Sequence, residues 1–384
     1  MKSNLTIAFL TSTDPNDKRS WSGIHYCMYN SLKNNFVTVD AIGPIDGFLL
    51  KSIGIVNKVS RFLFNKGYNH NNSIVRSYLL SLTINRRINI KKYDIIFAPA
   101  SSTEVAFIQT DAKIIYLSDS SFGQLNGYYD VFSNLYKFSS KESNYIEQKA
   151  INKSDYFIYP SKWAANYIVQ NYGVEEKKVS VIPFGANIYN EDIVYLEKQI
   201  SNKAPITLLF LGVEWLRKGG DVVYKTFEML LENGYDINLI VCGCIPPVSH
   251  PKMTVYPFLN KNNKEDFATF NTILSETHLL FLPSKAECFG IVFCEASAFG
   301  IPSITTNTGG IPNAVYEGIN GYCLDVNASP KEYYNTIVQL IEDKENYKAI
   351  SKSSRALYLN KLNWENWANE VAEIISKISN NNKS

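Results

Sequence analysis

Short apolar runs recur along the first half of the chain at LTIAFL, FVTVDAI, YDIIFAPA, KIIYLSD, YFIYPS and VSVIPFG, each bounded by Pro, Gly, Asn, Asp or Ser. The stretches between them are long enough for crossover helices. The rhythm therefore predicts parallel strands alternating with helices. From Pro205 the same rhythm restarts at ITLLFLG, INLIVCG, MTVYPFL, HLLFLPS and IPSITT. Residues 190–204 between the two series are charged and read as a linker. Beyond the second series, Trp364, Trp367, Val371, Ile374, Ile375 and Ile378 fall at helical spacing and predict a closing helix over 364–380. The pattern is that of an α/β protein with two doubly wound parallel-sheet domains, residues 1–190 and 205–363.

Composition narrows the function classes. The 384 residues are 45 % hydrophobic and 19 % charged, which excludes disorder as a description of the whole. Lys and Arg total 38 against 36 Asp and Glu, so the bulk charge of +2 gives no support to a nucleic-acid partner. The cysteines Cys27, Cys242, Cys244, Cys288, Cys294 and Cys323 lie in apolar stretches without a CxxC pair, and read as reduced core thiols of a cytoplasmic protein. The first residues, MKSNLTIAFLTSTDPND, carry an apolar run too short for a signal peptide or a membrane span. No G-x-G-x-x-G follows the first strand. A P-loop, an H-E-x-x-H, a G-x-S-x-G elbow and an Asp-x-Asp triplet are also missing, so the residues nominate no metal and no cofactor.

Chemistry concentrates in PSKAECFGIVFCEASAFGIPSITTNTGGIPNAV, residues 283–315. An apolar run leads through Gly290 into a predicted helix, IVFCEASAFG, closed by Gly300 and Pro302. A strand end, a glycine loop and a helix N-terminus together make an anion site, because free N–H groups and the helix dipole face the loop. Glu287 and Glu295 flank that site. A carboxylate repels phosphate, so the two are read as acceptors for hydroxyls on either side of it, the pattern of a nucleotide sugar. Gly309 and Gly310 offer a second flexible loop at the next strand end.

The E-x7-E element AECFGIVFCE, preceded by PS and followed by GGIP, resembles the donor-binding element of the family 4 retaining glycosyltransferases, the group 1 enzymes of GT-B fold. FLGVEWLRKGGD (210–221), VIPFGAN (181–187), SDYFIYPSKWAANYIVQNYGV (154–174) and INGYCLD (319–325), the last taken as a turn, extend the likeness over most of the chain. The resemblance implies two Rossmann-like domains facing across a cleft, with the 364–380 helix packed back on the N-terminal one. It implies that Glu295 binds the ribose hydroxyls, that Glu287 contacts the donor hexose, and that the N–H groups of Phe289, Gly290 and Ile291 lie near sugar and phosphates. Lys218 falls on the family's phosphate-binding lysine. The family's arginine would fall on Val213, so Arg217 is the candidate replacement. Tyr256 to Lys261, with Tyr256 and Leu259, resembles the segment that reads the base, and leaves UDP-, GDP- and ADP-sugars open. Gly23 resembles the family's glycine loop, and Asp119 occupies the strand end where relatives carry a His or His-Asp near the acceptor.

The activity so implied is metal-independent, retaining transfer of a hexosyl unit to a glycan hydroxyl, on a bacterial cell-surface polysaccharide or a lipid-linked acceptor. A nucleotide-sugar epimerase on the same architecture, and an inactive sugar-nucleotide or glycan binding protein, are the alternatives. Lys218 with Arg217 also reads as a solvent-facing pair, and Asp119 as a helix cap or turn residue. Ile55, Val56, Val59, Phe62 and Leu63 share one helical face ringed by Lys51, Lys58, Arg61 and Lys66, with Arg86, Arg87, Lys91 and Lys92 following. That element reads either as a crossover helix on the sheet or as a peripheral contact with anionic lipid at the inner membrane face.

Overall fold

A computed structural model describes residues 2–45, 66–188, 193, 195, 197–201 and 204–380. The chain divides into two compact units, Met1–Ile182 with Ala368–Ser384, and Pro183–Trp367.

In the first unit β1 (Ser3–Phe9), β2 (Phe36–Ala41), β3 (Ile95–Pro99), β4 (Lys113–Leu117), β5 (Tyr156–Tyr159) and β6 (Val179–Val181) form one sheet in the order 2-1-3-4-5-6. Every neighbouring pair is parallel. All of β3 and the last four residues of β4 are buried, as strands covered on both faces must be. The helix Ile74–Ile90 starts at Ser73, whose hydroxyl accepts from the Arg76 N–H, and buries Leu80, Ile84 and Ile88 on one face. Those three join Ile96, Tyr116, Ile146 and Ala150 in the core.

In the second unit β7 (Ile206–Leu211), β8 (Ile237–Cys242), β9 (Met253–Tyr256), β10 (Leu279–Leu282), β11 (Ser303–Thr306) and β12 (Gly321–Leu324) form a sheet in the order 12-11-10-7-8-9, again wholly parallel. Strand β12 corrects the reading of INGYCLD as a turn: Gly321–Leu324 pairs residue for residue with Ser303–Thr306. It is an edge strand with only Gly321 buried, so it lacks the continuous apolar run that marks the interior strands. The strand order reverses between β7 and β10. In open parallel sheets the ligand crevice lies outside the carboxyl ends of the strands at that reversal.

The helices Pro330–Glu342, Lys344–Asn360 and Trp364–Asn380 close the chain. The first opens on a capping box between Ser329 and Glu332. Trp364 stacks on Phe184 with ring centroids 6.0 Å apart and donates from Nε1 to Asn187 Oδ1 at 3.0 Å, which pins residues 183–187 within the second unit. From Ala368 onward the last helix belongs to the first unit, where Val371 and Ile375 are fully buried. Most of the basic amphipathic stretch, from Lys51 through Ile55, Val56, Lys58, Val59, Arg61, Phe62 and Leu63, lies outside the described residues. Of the basic residues that follow it, Arg87 donates to the Pro44 carbonyl at 2.9 Å and Lys91 pairs with Asp40 at 2.6 Å. Among the described residues no helix is long and apolar enough to cross a membrane.

Candidate functional site

The loop after β7 and the loop after β10 flank the reversal point of the second unit, and the backbone binds them together. Gly219 caps the helix Gly220–Glu232 in a left-handed conformation, so close to Pro283 that a Cβ would stand 2.2 Å from its carbonyl oxygen. The Lys285 N–H donates to the Arg217 carbonyl at 2.9 Å. Trp215 anchors the turn against Phe210 at 5.0 Å between ring centroids.

This docking delivers two cations to one carboxylate. Lys218 Nζ forms an ion pair with Glu287 Oε1, and Arg217 Nη1 stands 3.6 Å from the same oxygen. Arg217 Nη1 also donates to the Ala286 carbonyl at 2.8 Å, and its Nε pairs with Glu214. Ser284 Oγ approaches Glu287 Oε1 at 3.4 Å. Lys218 is 8 % exposed and Glu287 6 %, so this cluster is not a solvent-facing pair. Val213, at the position expected of the family's arginine, is exposed, and the guanidinium at the cluster is that of Arg217. Gly310 joins through its N–H, which donates to the Glu287 carbonyl at 3.0 Å, and Gly309 precedes it in a left-handed conformation.

Beside this cluster Gly290 caps the helix Ile291–Ala298 with φ +87° and no side-chain cap. A Cβ there would lie 2.5 Å from the Phe293 ring. The first N–H groups of a helix have no partner within it, so Ile291 and its neighbours present donors beside Glu287. Phe289 is buried edge-on against Phe184 at 5.2 Å, which seats the helix start. One turn further on, Glu295 is 1 % exposed and its Oε1 pairs with Lys261 Nζ at 2.5 Å. Burial pushes the Glu295 carboxyl up and Lys261 pulls it down. Tyr256 ends β9, its carbonyl accepting from the Gly243 N–H at 2.9 Å, and half-buried Leu259 lies in the loop that carries Lys261. Lys261 closes the segment that resembles the base-reading element, but its pairing with Glu295, 34 positions away, leaves no mark in that segment.

Gly23 and Asp119 belong to the first unit. Trp21, Ser22 and Gly23 adopt left-handed φ values of 48°, 57° and 91° just before the helix Ile24–Asn35. Behind that turn the buried His25 shares a 3.1 Å hydrogen bond between Nδ1 and Thr13 Oγ1, and burial pushes its imidazole down to about 4. Asp119 is half-buried just beyond β4 among the buried Ser118, Ser120 and Ser121. Two carboxyls of this unit had drawn no attention in the sequence, the buried Glu104 and Glu147. Among the described residues no three His, Cys, Asp or Glu side chains gather as a metal ion would require, and none of the six cysteines forms a disulfide.

Comparison with known proteins places this architecture. The family described as Glycosyl transferases group 1 matches residues 194–357, and that described as Glycosyltransferase Family 4 matches residues 40–188. An uncharacterized glycosyltransferase of Methanocaldococcus jannaschii is 24 % identical over 63 % of this chain and 65 % of its own. The N-acetyl-alpha-D-glucosaminyl L-malate synthase of Bacillus anthracis is 24 % identical over 58 % of this chain and 57 % of its own. The chain thus spans about three fifths of the length of these curated relatives. Among solved structures, Anabaena HepE in complex with UDP-glucose superposes with a TM-score of 0.65 at 15 % identity, covering 97 % of this chain and 100 % of that one. With both units matched and the fold shared, the chain belongs to the group 1, family 4 glycosyltransferases of GT-B fold.

Proposed function

We propose that the protein transfers a hexosyl unit, with retention, from a nucleotide diphosphate sugar to a hydroxyl of a glycan or lipid-linked acceptor. The observation that carries the reading is the convergence of Lys218 and Arg217 on Glu287 beside the uncapped helix start at Gly290. That arrangement offers cations and backbone N–H donors for a diphosphate, and a carboxylate beside them for the sugar. The binding of UDP-glucose by the HepE relative agrees with a donor of this class.

In the proposed reaction the bond between the anomeric carbon and the diphosphate oxygen breaks as the acceptor oxygen attacks the same carbon, and the acceptor proton passes to the departing phosphate. Negative charge grows on the leaving group, and oxocarbenium character on the sugar. Lys218, Arg217 and the N-terminus of the helix Ile291–Ala298 stabilise the first. The Glu287 carboxylate stabilises the second. Glu295 takes the ribose hydroxyls, and the loop from Tyr256 through Leu259 reads the base.

Thermal stability in the presence of UDP-, GDP- and ADP-hexoses, in EDTA, tests the donor assignment. A ligand that binds the folded state alone raises the melting temperature by mass action. One nucleotide sugar should stabilise the native protein, and Glu295→Ala should shrink the effect. If none of them stabilises the folded protein, the donor assignment fails.

A further inference from the structure

Glu295 stands where a carboxylate is costly. It is 1 % exposed, and burial in an apolar helix neighbourhood favours its neutral form. A neutral carboxyl would spend one oxygen as a donor and present a weak acceptor to a ligand, whereas an ionised one offers two strong acceptors. The geometry around it is that of a half-completed acceptor. Lys261 Nζ holds Oε1 at 2.5 Å, and among the described residues Oε2 takes no hydrogen bond. Lys261 is itself held in place, its ammonium 4.2 Å from the centre of the Phe270 ring on the helix Lys264–Glu276.

The other titratable groups near Glu295 carry no charge to compete. The Cys242 thiol at the end of β8 is pushed up to about 12, chiefly by burial, and the Cys294 thiol on Glu295's own helix is pushed well up by the same cause. The one charged group acting on Glu295 among the described residues is Lys261, which comes from the loop after β9.

We propose that Lys261 is a positioning residue that keeps Glu295 ionised and turned so that Oε2 is free for a ribose hydroxyl, making the site selective for ribonucleotides over their deoxy forms. The inference rests on the donor site proposed above and assigns a task within it to a residue outside the E-x7-E element. Lys261 does its work through Glu295, without a contact to the reacting atoms.

The test measures binding of UDP, GDP and ADP to the full chain by calorimetry, then of the 2′-deoxy and 3′-deoxy counterparts of whichever binds. The native protein should prefer the ribose form by about tenfold or more, the value of a hydrogen bond to a charged group. Lys261→Met should lose that preference at neutral pH by weakening ribonucleotide binding alone, and recover it as the pH is raised and the carboxyl ionises without the lysine. Lys261→Arg should retain it throughout. Since Lys261→Met leaves a buried carboxylate without its partner, the double variant Lys261→Met with Glu295→Gln, which buries no charge, supplies a second measurement. Relative to Glu295→Gln alone, its ribose preference should change less than about twofold, because the lysine has nothing left to act on. A native ribose preference that survives in Lys261→Met at pH 7 overturns the inference, and so does tighter binding in that variant, which would make the pair a contact the nucleotide must break. If no nucleoside diphosphate binds the native protein at all, the donor reading falls and takes this inference with it; failure in the variants alone leaves the donor reading standing.

Discussion

Each unit buries a pair of glutamates, and the two pairs live under opposite electrostatic conditions. In the second unit Glu287 meets Lys218 and Arg217, and Glu295 meets Lys261. In the first unit Glu104 and Glu147 are as deeply buried, but hydroxyls meet them: Tyr116 donates to Glu147 at 3.1 Å, and Ser12 lies against Glu104. Among the described residues neither forms an ion pair. Burial pushes Glu104 and Glu295 up and Glu147 up to about 7; a directly paired lysine opposes the push at Glu295, hydroxyls oppose it at Glu147, and Ser12 with the charge of Arg76 opposes it at Glu104. A buried carboxylate beside a lysine keeps a charge available for a ligand to exchange; one beside a tyrosine stores a proton. On the proposed reading, the contrast separates a unit that meets a charged ligand from one whose buried acids serve packing.

The hardest blow to this contrast is Lys218→Met. It takes from the buried Glu287 carboxylate the nearer of two cations and leaves Arg217 Nη1 at 3.6 Å from the same oxygen. Leaving a buried charge wholly without a partner costs about 3–5 kcal/mol, and with Arg217 still beside the carboxylate urea denaturation should show a loss toward the lower end of that range. Adding Glu287→Gln should recover most of the stability. Transfer activity, if the proposed reaction is right, should fall by about a hundredfold or more in both variants, since a charge that stabilises the leaving group has gone. A Lys218→Met protein as stable as the native one would mean that the second unit holds its glutamates no differently from the first.

The contrast was legible in the sequence on one side only. Glu287, Glu295 and Gly290 announce themselves because one short segment carries all three, and Lys218 because FLGVEWLRKGGD resembles the family's strand and loop that carry its phosphate-binding lysine. Lys261 escapes because its partner lies on another element, and facing side chains leave no mark on local spacing. Glu147 hides in KESNYIEQKAINK, which reads as a solvated, charged helix. Yet Ser143, Ile146, Ala150 and Ile151 share its buried face, and placing Glu147 among them would have exposed it. The fold was more open to reading because a doubly covered parallel strand is apolar on both faces. That rule fails at β12, an edge strand only half covered.

Next in size is the pH dependence that Glu147 should give the first unit. Its native carboxyl is raised to about 7 from an ordinary 4.5, so between those values the native state holds a proton that the unfolded state has released. Stability then falls as pH rises through that window and levels off above it. The gap corresponds to a loss of about 3 kcal/mol. Glu147→Gln should match the native protein below about pH 4 and exceed it by up to that amount near pH 8.5. Since His25, pushed down to about 4, contributes the opposite slope below its ordinary 6.5, the difference between native and variant curves is the quantity to measure. A difference flat with pH would show Glu147 ionised throughout, and the two units alike.

A smaller effect is expected where backbone, not charge, builds the donor side. Gly290→Ala forces a Cβ onto a left-handed residue and against the Phe293 ring. Strain of this kind costs about 1–3 kcal/mol, readable as a lowered denaturation midpoint. Nucleotide binding should weaken beyond what the lost stability explains, because the N–H groups at the helix start shift with the cap. A variant that melts early and binds normally would leave the charges as the whole of the donor site.

The finest test is Tyr116→Phe, which removes the hydroxyl that donates to Glu147 and little else. Near pH 5 the carboxyl is protonated in the folded form of both proteins and the hydrogen bond lost is a neutral one, so the cost should be about 1 kcal/mol. Near pH 8.5 the native carboxylate is ionised and the lost bond is charge-assisted, so the cost should rise to about 2 kcal/mol. The sign follows from Tyr116 holding Glu147 down: without it the native carboxyl titrates higher still, and stability goes on falling past the pH at which the native protein levels off. A cost that stays the same across this range would mean that Tyr116 does not distinguish the two protonation states of Glu147. Burial would then push Glu147 up without opposition from Tyr116, whereas at Glu295 Lys261 opposes the push of burial.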